Sequence, residues 1–213
     1  MKHLFPIILL FFLIPFPAKT QTYYLSNICN DYFPFNPFDN EFSKLFKLLS
    51  ADPHSANKTI QKRTDSTLFM FKSVYTSYPK LNTRVVRVET RLQEAEVILS
   101  DTLHLKDTLI QYQLTCYFGE GNTGLQKVKK AFDNLDREYK KHFSTTTTSD
   151  IKDGDTYSGA VRNYYVSLSP VSPLSIAWTN IDENESAFVI LLRLKLKQNQ
   201  LDTYKFSDVK LHH

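Results

Sequence analysis

Apolar residues recur at two different spacings along this chain, and the switch between them constrains the fold more than any other feature. Leu125, Val128, Phe132, Leu135, Tyr139 and His142/Phe143 share one side of a helix. Lys127, Lys129, Lys130, Asp133, Arg137 and Glu138 cover the remaining surface. This pattern predicts a long amphipathic helix over about 123–143. Asn122 or Thr123 is placed to cap it, and Lys140, Lys141 and His142 lie at its dipole-negative end. On either side of this stretch the apolar period drops to two residues.

The alternating segments predict about six strands. Leu68–Tyr75 carries apolar residues on both faces, while Val86, Val88 and Leu92 alternate with Arg87, Glu89, Arg91 and Gln93, so one face of that strand is wet. The apolar phase flips near Glu94 and resumes at Ala95, Val97 and Leu99, which predicts a bulge at Gln93-Glu94. Leu109–Phe118, Ala160–Leu168, Leu174–Thr179 and Phe188–Leu196 complete the set. The polar stretches Ala51–Ser66 and Ser144–Ser158 read as loops. Ahead of the strands, Phe42, Leu45, Phe46 and Leu49 form a second, shorter helical stripe over about 37–50, with Asn36 as its cap and Pro37 at its first position. Short connections favour antiparallel pairing, so the expected fold is α+β: a mostly antiparallel sheet of about six strands with both helices on one face.

The first residues read as an address. Lys2 and His3 precede the apolar run Leu4–Ile14, and Lys19-Thr20-Gln21 makes a polar exit. This is the layout of a secretory signal peptide over 1–21, too short and too proline-interrupted for a spanning helix. The expected mature chain, 22–213, is one secreted or periplasmic domain with no further integral membrane segment. Its first stretch, 22–38, is rich in aromatics, and Pro34 and Pro37 are expected to keep it extended. Tyr23, Tyr24, Tyr32, Phe33 and Phe35 there are candidate ligand-binding residues, since exposed aromatic patches tend to be sites.

Without residues 1–21 the chain holds 24 basic against 22 acidic side chains. That balance gives no electrostatic case for nucleic-acid binding. Cys29 and Cys116 permit one disulfide in an oxidising compartment; the inward phase of Cys116 equally suits a protected free thiol. No Cys-x-x-Cys, His-Glu-x-x-His or Gly-x-Ser-x-Gly appears, so no metal, cofactor or nucleophile is implied. Gly119-Glu120-Gly121-Asn122-Thr123-Gly124 spells a dinucleotide fingerprint, but the strand before it alternates, whereas a Rossmann strand is apolar throughout. Asp150, Asp153 and Asp155 lack the glutamate that a calcium loop requires. The expected function is therefore an exported, non-enzymatic binding or interaction module. Its partner, a protein or small molecule, would meet the aromatic segment or the outer face of the sheet. The alternative is a periplasmic or extracellular hydrolase with dispersed residues such as Asp153, Asp155 and His104.

Overall fold

The computed structural model describes residues 18–195 except 39–41, 65–66, 79, 82, 84, 101–102, 120, 144, 154–155, 166–170 and 182–184. Most of the expected signal segment therefore lies outside the described residues. Two helices, α1 (Ala18–Tyr32) and α2 (Phe42–Ala51), lead into four strands: β1 (Ala56–Thr64), β2 (Thr67–Tyr75), β3 (Val85–Ser100) and β4 (Leu103–Phe118). A third helix, α3 (Gly121–Tyr139), leads into β5 (Thr145–Asp153), β6 (Thr156–Tyr165), β7 (Leu174–Asn180) and β8 (Ser186–Lys195). All eight strands form one sheet in the order β1-β2-β3-β4-β8-β7-β6-β5, with every neighbouring pair antiparallel. Each half is thus helical first and a four-strand meander after: two helices precede β1–β4 and one precedes β5–β8. The two meanders meet along their last strands.

The sheet has eight strands rather than about six. The two additional ones, β1 and β5, occupy the stretches expected to be loops, and both are sheet edges. An edge strand pairs on one side only, and here its side chains are mostly in water, so Asn-Lys-Thr-Ile-Gln-Lys and Thr-Thr-Thr-Thr-Ser-Asp show no apolar alternation. Their threonines nonetheless favour extended backbone. The irregular pairing falls in β2 between Thr67 and Phe69, opposite Gln93 and Leu92, while β3 runs on against β4 without a shift from Val85 to Ile98. The irregularity expected at Gln93-Glu94 of β3 is therefore not in β3: the extra residue lies in β2, opposite Gln93 and Leu92.

Among the described residues there are three helices rather than the expected two. Residues 22–32 are helical rather than extended, because Pro34 and Pro37 restrict only the backbone beside them and both lie beyond Tyr32. Leu25, Ile28 and Cys29 are buried, and Tyr32 packs against the core, all on one helical face. α2 begins at Phe42, later than the expected 37. Asn36 does not cap it. Its Oδ1 accepts from Phe38 N at 2.9 Å, while its Nδ2 donates to Ser26 Oγ at 2.7 Å and Asn30 Oδ1 at 2.9 Å, tying the connector back to α1.

All three helices cover the same face of the sheet. Pairing aligns Phe71, Thr90, Tyr112, Leu192, Leu174 and Tyr164 across β2, β3, β4, β8, β7 and β6 on that inner face. Phe33 beyond α1 packs on Tyr112, Phe46 of α2 on Phe69 and Phe71, and Asp136 of α3 meets Tyr164. The expected α3 stripe is buried at Val128, Phe132, Leu135 and Tyr139, with Phe143 just beyond the helix. No helix among the described residues is long and apolar enough to cross a membrane.

Candidate binding surface

The opposite, outer face bears none of the described helices. Its side chains align in cross-strand rows that run from edge to edge. One row is Thr59, Lys72, Glu89, Gln113, Leu191, Ser175, Asn163 and Thr147. A second passes through Val74, Arg87, Thr115, Val189, Ala177, Val161 and Ser149. Outward positions of β3 were expected to be wet, and Arg87, Glu89 and Arg91 occupy them.

Glu89 on this face is a buried carboxylate, at 5% exposure. Two cations enclose it: Lys72 Nζ lies 3.2 Å from Oε1, and Arg91 Nη2 donates to Oε2 at 3.1 Å. Each cation keeps more than a third of its side chain in solvent, so either pair alone adds little stability. Their joint effect is to keep a desolvated carboxylate paired. Next to them, the Arg87 guanidinium lies 5.2 Å from the Tyr117 ring centroid. Burial raises the Tyr117 pKa, and Arg87 opposes that shift.

Across β8 and β7 the row becomes a chain of side-chain hydrogen bonds. Arg193 Nη1 donates to Ser175 Oγ at 2.7 Å, Ser175 Oγ donates to Asn163 Oδ1 at 2.6 Å, and Asn163 Nδ2 donates to Thr147 Oγ1 at 3.4 Å. Partial burial lowers the Arg193 pKa. Among the described side chains of this face, Lys72, Arg87, Arg91 and Arg193 stand against Glu89 and against Glu185, whose charge acts on Tyr117. The described side chains of this face therefore have a cationic excess, with Arg and Tyr set among Val, Leu and Ala.

The aromatic segment is not one surface. Phe33 is fully buried, and Tyr32 and Phe35 pack against the core. Tyr78 OH donates to Tyr32 O at 2.6 Å. Tyr24 is half-buried and stacks on His142, with ring centroids 3.6 Å apart. Only Tyr23, at 63% exposure, projects into solvent, edge-on to Tyr24. Helical periodicity over 22–32, rather than the count of aromatics, was the signal for this division.

No family model, curated protein or solved structure matches this chain.

The remaining sequence motifs find structural roles or fall apart. Cys29 and Cys116 are both buried and not joined to each other by a disulfide, and burial pushes the Cys116 pKa up to about 12. In the glycine motif, a Cβ on Gly124 would collide with the Gly119 carbonyl oxygen, so close packing at the start of α3 accounts for that glycine. The antiparallel surroundings of β4 differ from the parallel sheet that a dinucleotide site uses. Asp150 is exposed on edge strand β5, and Asp155 lies outside the described residues. His104 and Asp153 belong to β4 and β5, four strand spacings or roughly 19 Å apart across the sheet. Among the described residues no three His, Cys, Asp or Glu side chains group closely enough to hold a metal ion.

Proposed function

We propose that the protein is an exported, non-enzymatic binding module that engages an acidic protein partner on the outer face of its sheet. The observation that carries this reading is the excess of cations among the described side chains of that face, Lys72, Arg87, Arg91 and Arg193 against Glu89 and Glu185, with Glu89 already enclosed by two of them. An open sheet face offers a broad surface to a protein partner, and Arg and Tyr are residues that anchor such contacts. Complementary charge would steer the encounter and weaken it as salt rises.

A short glutamate-rich peptide is the probe. Titrated into the isotope-labelled protein, it should shift backbone amides of β2, β3, β4 and β8 saturably. The double variant Arg87→Ala/Arg91→Ala should bind about tenfold more weakly. Shifts confined to the helical side, or binding that the double variant leaves unchanged, would overturn this assignment.

A further inference from the structure

The two edges of the sheet are built differently. In β1 the pairing steps from Ala56↔Val74 to Thr59↔Lys72, so the extra residue lies in the edge strand itself, where Asn57 adopts a φ of 52°. Among the described side chains of β1 the charged ones are Lys58 and Lys62, both cations. A bulge and lysines are common means of keeping an edge from pairing with another chain. β5 is regular. Its pairing steps from Ile151↔Gly159 to Lys152↔Tyr157, which leaves the extra residue, Ser158, in β6, and the open edge runs unbroken from Thr145 to Asp153.

One hydrogen bond shows which main-chain groups face outward. Ser158 Oγ of β6 donates to Ile151 O at 3.1 Å, so the main chain of Ile151 faces β6. Along a strand these groups point to alternate sides, and those of Asp150 and Lys152 therefore line the open edge. Both side chains are exposed and share one face of the strand, with Ile151 between them on the other. Ile151 is half-buried over Gly159, where an added Cβ would lie 3.2 Å from its Cδ1. Acid, apolar residue and base in succession form a pattern that complements itself when two copies run in opposite directions.

We propose that β5 is a dimer interface, pairing antiparallel with β5 of a second copy of this chain about a two-fold axis at Ile151. In this register Asp150 lies directly opposite the partner's Lys152, and Lys152 opposite the partner's Asp150. Both become hydrogen-bonded pairs of the new ladder, and unlike charges set directly across a ladder stabilise it. Ile151 meets the partner's Ile151 in the non-hydrogen-bonded pair between them, where side chains approach most closely. Sliding the partner by two residues sets Asp150 against Asp150 or Lys152 against Lys152, so charge fixes the register. Two β1 edges, by contrast, would bring cations together. The β5 contact is isologous and closed, and it joins two eight-stranded sheets edge to edge with all helices on one side.

Sedimentation equilibrium of the chain over a wide concentration range reads the association. The parent should follow a monomer–dimer equilibrium. Asp150→Lys and Lys152→Asp each set like charges opposite one another twice, and each should weaken the dimer at least about tenfold. The double variant Asp150→Lys/Lys152→Asp restores unlike pairs in the same register and should dimerise about as well as the parent. Both positions are exposed, so the far-UV spectrum of every variant should match the parent. A parent that stays monomeric, single variants that dimerise undiminished, or a double variant no better than the singles would each overturn the proposal. Growth beyond the dimer, as a head-to-tail contact of β1 on β5 would give, would also overturn it. Arg87→Ala/Arg91→Ala should dimerise like the parent, which separates this edge from the outer face.

Discussion

At Gly159 the backbone of β6 runs so close to β7 that an added Cβ would collide with the Trp178 carbonyl oxygen and lie 3.0 Å from the Thr179 Cα. That constraint comes from a neighbouring strand and has no local sequence signature. Phe132 is the opposite case. It is 5% exposed at the centre of the α3 stripe, and its role follows from helical spacing alone. Phe132→Ala removes a large side chain from a packed site and should cost roughly 3–5 kcal/mol in urea unfolding. Lys130→Ala, on the solvated side, should change stability by no more than about 0.5 kcal/mol. Equal effects would mean that α3 does not pack through this stripe. The outer face divides in the same way. Arg87, Glu89 and Arg91 were legible as the wet side of one strand. The row that joins Arg193, Ser175, Asn163 and Thr147 depends on register between distant segments, which no local pattern encodes.

Elements were legible where burial forced a period and illegible where it did not. The inner strands and α3 bury one face, so alternation or helical spacing is written into them. The edge strands β1 and β5 bury little and look like loops. α1 was obscured by two prolines that lie just beyond its end, although Leu25, Ile28, Cys29 and Tyr32 keep helical spacing. A different device acts at the helix C-termini, where backbone carbonyls lack partners within the helix. Lys58 Nζ of β1 donates to Ser50 O and Asp52 O, both at 2.8 Å, beyond α2. Lys80 Nζ donates likewise to Asn30 O and Phe33 O at the end of α1, and its partial burial lowers its pKa. Tyr75 OH donates to Asp52 Oδ2 at 2.7 Å and completes the first arrangement. Lys58→Ala removes charged donors from a helix end and should destabilise by about 1 kcal/mol, discounted for its half-exposed position. Lys62→Ala, exposed on the same strand, should fall within about 0.5 kcal/mol of the parent. Urea titrations of both variants check the pair, and equal midpoints would show that the Lys58 contact contributes nothing.

At the scale of the whole molecule, export and fold impose compatible demands on the N-terminus. The expected processing window, Ala18–Thr22, falls in the first turns of α1, while the first described buried residue of that helix is Leu25. Cleavage there would shorten α1 and keep its buried residues Leu25, Ile28 and Cys29. N-terminal sequencing of the secreted protein should begin between Ala18 and Thr22, and an intact Met1 in the exported fraction would end the export reading. The order of the sheet has a further effect, on biogenesis. β4 pairs with β8 from Leu109↔Lys195 to Phe118↔Ser186, so its second edge waits for strands made last. At translation speeds of about 5–20 residues per second, the interval between Phe118 and Ser186 lasts several seconds. During that time the nascent first meander presents β4 as an open, apolar edge, the kind of edge that recruits other chains. The seam that unites the finished sheet is therefore also where a nascent chain is most exposed to its neighbours, and where a holding chaperone would matter most.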